Sequence, residues 1–341
     1  MKAAVYKGRR RLSVEDVSTP SPGPDQVLVR VKYCAICGTD VHGFIYDAVP
    51  PGTVLGHEYC GTIAEVGSGV RGWTVGDRVV GGGGSAPPGV GNVVRTDPRY
   101  NFRTMGFAGK PLRAYAEYVV MEGWEPVAIP DGVSDEAAAL CEPCAVAVHA
   151  VRISDLRLGD TVAVLGGGPI GLFCLQTARA AGAGKVFVSE PAPARQEAAR
   201  LLGADAVIDP LQDDVVERVV SLTGGIGPDV VFDCAGAAST LDQAMNMVRR
   251  GGQVVLVALA WEKTAVLPVD WIAREIKLQA SFSSLPEDWR IALDLMRSGK
   301  VSVAPMLSED SFIPLEDIQQ AFESLVKPST QLQMVVKLRG D

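Results

Sequence analysis

Residues 161–178, TVAVLGGGPIGLFCLQTA, constrain the chain most. An apolar β-prone run leads into Gly166-x-Gly168-x-x-Gly171, and a helix-forming stretch follows. Four glycines and a proline interrupt the segment, so it reads as strand, turn and helix rather than as a membrane span. In such a turn the first glycine permits the tight bend. The second lets backbone approach a pyrophosphate, and the third lets helix and strand pack closely. Pro169 and Ile170 occupy the turn between the second and third glycines. The phosphates then sit at the helix N-terminus, where N–H groups and the dipole favour an anion. The next strand, KVFVSE, ends on Glu190, 19 residues after Gly171. A carboxylate there binds both ribose hydroxyls and repels a 2′-phosphate, which predicts NAD rather than NADP. The plainer alternative, a structural glycine turn beside a surface glutamate, sits poorly with the complete strand–helix–strand context. Arg195 lies over the adenine or near the ribose, or is a solvated helix arginine; both readings stay open.

From about residue 153 strands and helices alternate. TVAVLG, KVFVSE, AVID, DVVFDCAG, GQVVLVAL and IKLQASF read as strands, with helices between them. This spacing implies a parallel sheet covered by helices on both faces. The earlier part is β-rich, with VLVRVKYC, TIAEVGSGV and YAEYVV separated by Gly and Pro turns. Residues 81–111 are rich in Gly, Pro and Arg without periodicity and read as a long surface loop. After about 285, DWRIALDLMRSG and IPLEDIQQAFESLV read as amphipathic helices and QMVVKL as a last strand. We expect these to return to the first domain. The fold class is then α/β, with a β-rich domain (1–152 plus 285–341) around an inserted doubly wound domain (153–284).

The chain has 341 residues, enough for two domains. A net charge of −8 argues against nucleic acid or an anionic membrane as partner. MKAAVYKGRRRLSVEDV carries no long apolar stretch and is no secretory signal. Seven cysteines without an even, closely spaced framework suggest reduced thiols in a cytoplasmic protein.

The three histidines are His42, His57 and His149. Cys37 in CGTDVH and His57 in GHE are a soft and a borderline ligand 20 residues apart, a natural pair for zinc. Two CxxC pairs, Cys34/Cys37 and Cys141/Cys144, raise the rival of a four-thiolate site. A closed site of that kind leaves no open coordination position and strands His57.

CGTDVH, GHEYCGTIAEVGSGV, GDRV, YAEYV, CEPCAVAVHA and GGGPIG follow one another over nearly the whole chain. In these motifs the sequence resembles the zinc-dependent medium-chain dehydrogenases, nearest the sorbitol, 2,3-butanediol and threonine dehydrogenase branch. The resemblance implies a GroES-like catalytic domain around a Rossmann domain, with the active site in the cleft. It implies Cys37 and His57 as zinc ligands, Glu58 as a direct or alternating ligand, and Glu142 as a ligand directly or through water. Asp40 orients His57, and Thr39 and His42 match proton-relay positions. Ile170, Glu190, Arg195, Val257, Ala258, Leu259, Ser281, Phe282 and Ser283 match NAD-contacting stretches. His149 is read as a helix residue near the cleft. The remaining cysteines become small core residues.

The implied function is NAD-dependent interconversion of a secondary alcohol (a diol, polyol or hydroxy compound) and its ketone. A homodimer or homotetramer is expected. Two rivals are a zinc-free quinone-reductase-like member and a non-catalytic NAD-binding scaffold that keeps zinc for structure. The motif pair CGTDVH and GHE speaks against the first, and the presence of Thr39 and His42 against the second. The chain departs from the family twice. Residues 81–111 lack the four cysteines of a structural zinc, so one zinc per chain is expected. Gly43 and Ser283–Ser284 stand where sorbitol-type enzymes carry polyol-gripping aromatic and Arg-Tyr side chains, which speaks against a sorbitol-like substrate. Phe44, Tyr46 and Trp124 are candidates to line the pocket.

Overall fold

The structure, a computed structural model, describes residues 1–81, 113–260, 263–326 and 331–338. The loop expected over 81–111 lies, beyond Gly81, outside the described residues. The chain opens with an antiparallel pair, β1 (Lys2–Tyr6) and β2 (Leu12–Asp16). β3 (Gln26–Ala35) is apolar along most of its length and buried accordingly. It is followed by α1 (Gly38–Ile45), β4 (Glu58–Val66), β5 (Arg78–Val80), β6 (Tyr118–Glu122) and β7 (Val127–Ala128). Next come α2 (Asp135–Ala138) and α3 (Cys141–Arg152).

The alternating part then runs β8 (Thr161–Leu165), α4 (Pro169–Ala180), β9 (Lys185–Ser189), α5 (Pro193–Leu201), β10 (Ala206–Ile208) and α6 (Val215–Leu222). It continues through β11 (Val230–Asp233), α7 (Thr240–Met247), β12 (Gln253–Leu256), α8 (Pro268–Arg274) and β13 (Lys277–Ala280). α9 (Pro286–Arg297), β14 (Phe312–Pro314), α10 (Ile318–Leu325) and β15 (Val335–Lys337) complete it.

Among the described residues, β10-β9-β8-β11-β12-β13 form one sheet, every neighbouring pair parallel. The strand order reverses between β8 and β11. In open sheets of this kind the crevice at the carboxyl ends beside that reversal is the ligand site. A second sheet runs β14-β15-β3-β4-β5-β7, with β6 also on β3. The terminal strand thus returns to the start of the chain, Val335 standing opposite Ala35. Two corrections concern element starts. YAEYVV begins as a strand only at Tyr118, because Tyr115 turns its ring inward and Ala116 makes only an isolated bridge to Ala3. IPLEDIQQAFESLV becomes α-helical at Ile318, after a 3-10 turn over Leu315–Asp317.

At the glycine turn, Gly166 has φ +96°. A Cβ on Gly171 would lie 1.8 Å from the Gly166 carbonyl oxygen, so no other residue fits there. Helix α3 joins the two sheets. One core cluster runs from Tyr33, Cys60 and Val80 through Cys141, Cys144 and Val148 to Val162, Phe232 and Trp289.

The α3–α9 contact is pinned by Asp288, which is fully buried. Its carboxylate accepts the Leu285 amide at 2.7 Å, faces His149 Nδ1 at 3.0 Å, and pairs with Arg152. Burial raises the Asp288 carboxyl, but His149, the Leu285 N–H and Arg152 outweigh it and hold it below the usual carboxylate value. A carboxyl depressed on folding contributes stability above its unfolded pKa of roughly 4, lost as pH falls through the lower folded value. Asp288→Asn should therefore cost about 1–3 kcal/mol at pH 7 in chemical denaturation, and its gap from wild type should narrow below pH ~4. A gap that stays constant down to pH ~2 would contradict this account.

Candidate active site

Cys37 follows β3 and caps α1. Its backbone is extended, and its sulfur accepts the Thr39 amide at 3.4 Å. The helix N-terminus favours a thiolate there. Asp40, in the first turn, faces inward and is fully buried. Phe44, one turn on, is a core residue rather than pocket lining: its ring lies 6.3 Å from Tyr6 and 5.2 Å from Phe322 of α10. This packing fixes α1 against the second sheet. Tyr46 and Trp124 are exposed. His57 and Glu58 stand where the chain enters β4.

The ligand atoms of Cys37, His57 and Glu58 all lie within 4.8 Å of one another. Asp40 Oδ1 faces His57 Nδ1 at 3.3 Å, and neither buried atom has another hydrogen-bond partner. The Tyr115 hydroxyl donates to Asp40 Oδ2 at 2.8 Å. A carboxylate on one ring nitrogen leaves the other nitrogen as the ligand atom. Gln333 donates to Glu58 Oε2 at 3.2 Å. Glu142, in the first turn of α3, is buried and lies outside the close group, yet its charge acts on Cys37 and Glu58. The other CxxC thiols turn elsewhere. Cys141 Sγ points to the Trp289 carbonyl at 3.7 Å, and Cys34, Cys141 and Cys144 are wholly buried in the cores.

Burial pushes the Cys37 thiol up to about 12, and Glu58 adds to the push. Burial together with Glu142 raises Glu58 to about 8. Burial raises Glu142 as well. Burial opposes charge on His57, but Asp40 and Cys37 outweigh it and hold its pKa well above normal. Asp40, despite burial, is kept low by His57 and Tyr115. One sulfur, one imidazole and two carboxylates crowd a buried site where their anionic forms are costly. A divalent cation reverses that cost, and sulfur with nitrogen and oxygen is a donor set suited to zinc. The residues fit the metal.

Thr39 and His42 stand on α1 beside this group, both half-buried. Burial lowers the His42 pKa, so its ring is neutral at pH 7. At the carboxyl ends of the parallel strands, Glu190 is buried and held on both oxygens. Oε2 accepts the Gly167 amide at 2.7 Å and Oε1 the Ala192 amide at 2.9 Å. A Cβ built on Gly168 would meet the Arg195 guanidinium at 3.9 Å, so Arg195 lies over the glycine turn and is not simply solvated. Val257, Ala258 and Leu259 follow β12, and Ser281, Phe282 and Ser283 follow β13. The Ser281 hydroxyl is buried without a partner, and Ser283 adopts φ +59°, a conformation that favours glycine. His149 is a helix residue paired with Asp288. Tyr115 and Gln333 escaped the sequence reading, since their links to Asp40 and Glu58 span 75 and 275 residues.

Residues 23–131 match the family profile described as alcohol dehydrogenase GroES-like domain, and residues 169–298 that of zinc-binding dehydrogenase. The chain belongs to the zinc-dependent medium-chain alcohol dehydrogenases. It is 35% identical to (R,R)-butanediol dehydrogenase of Bacillus subtilis strain 168, covering 99% of each chain. It is 34% identical to sorbitol dehydrogenase of the same organism, covering 95% of this chain and 93% of the relative. A solved structure described as a zinc-binding dehydrogenase from Sinorhizobium meliloti 1021, bound to NADP, superposes with TM-score 0.86 at 34% identity over 99% of each chain. This chain is an alcohol–ketone oxidoreductase with a GroES-like and a Rossmann unit, and it uses zinc and a nicotinamide nucleotide. Nothing among its relatives favours a scaffold without turnover.

Tyr115→Phe removes the donor to a buried carboxylate. The variant should fold, with about 1–3 kcal/mol lost in denaturant unfolding. Stability equal to wild type would mean that the hydroxyl does not hold Asp40.

Proposed function

We propose that the chain interconverts a secondary alcohol, of diol, polyol or other hydroxy-compound type, and its ketone with NAD(H). The reading rests on one observation: a sulfur, a nitrogen and a carboxylate converge within 4.8 Å beside the helix that carries Thr39 and His42. When bound, zinc supplies Lewis acidity to the alcohol oxygen and the nicotinamide supplies the hydride acceptor. Cys37, His57 and Glu58 hold the metal, with Glu142 as a fourth donor directly or through water. Asp40, fixed by Tyr115, keeps the His57 ring oriented. Thr39 accepts the alcohol's hydrogen bond and relays the proton toward His42, which burial keeps neutral and which passes it to solvent. The glycine turn at Gly166, Gly168, Pro169, Ile170 and Gly171 cradles the pyrophosphate. Glu190, prepositioned by two amides, takes the ribose hydroxyls and disfavours a 2′-phosphate, while Arg195 covers the adenosine end. Val257 to Leu259 and Ser281 to Ser283 flank the nicotinamide half. We divide the chain into 1–152 plus 285–341 and 153–284. All seven cysteines are free thiols, which supports a cytoplasmic setting. Among the described residues no helix is long and apolar enough to cross a membrane.

The test is a panel of secondary alcohols, diols and hydroxy acids, read as reduced-nucleotide formation with NAD and with NADP. Turnover on at least one alcohol, faster with NAD, is expected. Cys37→Ser and His57→Ala should abolish it while NADH still binds. Full activity in either variant, or zinc-loaded protein inert on every substrate, would overturn the reading; equal rates with NADP would overturn the role of Glu190.

We further infer that a second copy of the chain pairs at β13, making a homo-oligomer. This edge strand and the helix before it leave Leu278 and Ile272 exposed by 43% and 77%. An edge strand pairs with its own copy across a two-fold axis, so the patch is self-complementary. Sedimentation should give a dimer or tetramer, and Leu278→Asp with Ile272→Asp should shift it to monomer. Unchanged mass in that double variant would exclude this face.

A further inference from the structure

We propose that Gln333 is a positioning residue for the metal cage, tying its two ligand-bearing segments together and aiming Glu58 at the cation. The proposal rests on the cage reading above. Gln333 lies just before β15, at the far end of the chain, and is buried. Its Nε2 carries two hydrogens and meets two acceptors: the Ile36 carbonyl at 3.3 Å and Glu58 Oε2 at 3.2 Å. Ile36 is the neighbour of Cys37, and Glu58 is the neighbour of His57. One amide therefore spans the strand end that delivers the sulfur and the strand start that delivers the imidazole and carboxylate.

The orientation of the amide is fixed by chemistry. A backbone carbonyl can only accept, so the NH2 end must face the cage. The backbone supports the same register, with the Ile36 amide donating to the Met334 carbonyl at 2.9 Å and Val335 opposite Ala35. Glu58 sits in a site where carboxylates are crowded by Glu142. A cationic partner would satisfy Glu58 and compete with the metal for its charge. A neutral amide donates a hydrogen bond, fixes the rotamer and leaves the negative charge to the cation. Groups that orient a ligand in this way typically control metal affinity by roughly 10–100-fold when removed.

The test uses the full-length protein loaded with zinc, and separately with cobalt(II) as a spectroscopic probe. Gln333→Met keeps the shape and removes the donor; Gln333→Asn keeps a neutral amide donor at shorter reach. Zinc loss to a chelator is followed in wild type and both variants, together with the cobalt visible spectrum and the melting temperature of the metal-free protein. Gln333→Met should release zinc roughly 10–100-fold faster and alter the cobalt spectrum, with metal-free melting lowered only modestly. Gln333→Asn should recover part of the retention. Wild-type retention and spectrum in Gln333→Met would overturn the proposal, as would faster loss in both variants that tracks a fall in metal-free melting, which marks a packing role. Wild-type protein that binds no zinc would overturn the cage itself, a distinct failure.

Discussion

The burial of like-charged groups in one place governs this molecule. Cys37, Glu58 and Glu142 share a site in which ionisation is costly without a cation, and His57 with Asp40 offsets only part of that cost. A dication turns the same arrangement from a liability into a binding site. The fold brings the groups together from α1, from the start of β4 and from the first turn of α3. It backs them with Tyr115 and with Gln333 beside the terminal strand. The aromatic contacts of Phe44 with Tyr6 and Phe322 keep the floor beneath them rigid.

The nucleotide half obeys a different constraint. The groups proposed to bind there are backbone amides and one carboxylate at the carboxyl ends of parallel strands. Geometry there is set by close packing, as the 1.8 Å approach at Gly171 shows. Glu190 is held by the Gly167 and Ala192 amides, so the side chain proposed to read the ribose is fixed by the turn proposed to hold the phosphates. Helix α3 links the halves. Its first turn carries Glu142, its middle packs both cores, and its end meets α9 through His149 and Asp288.

What could be read from the sequence follows from these differences. The parallel sheet was legible because its signals are local: apolar strands, the glycine turn, and an acid one strand later. Cys37, His57 and Glu58 were legible because each lies in a short motif with ligand chemistry. CEPC misled at first sight, since CxxC spacing is a metal signal, but burial directs both thiols into packing and leaves Glu142 facing the charged site. Tyr115 and Gln333 left no trace because a lone tyrosine and a lone glutamine acquire meaning only through partners 75 and 275 residues away. The helical form of α1, which makes Cys37 a cap, was likewise hidden in a short segment with two glycines.

Zinc K-edge X-ray absorption on the purified protein tests the central claim most directly. The arrangement of Cys37, His57 and the two glutamates predicts one sulfur at about 2.3 Å, with the remaining donors nitrogen and oxygen at about 2.0–2.2 Å. Two or more sulfurs on the metal would contradict it, and would return the CxxC cysteines to the ligand set.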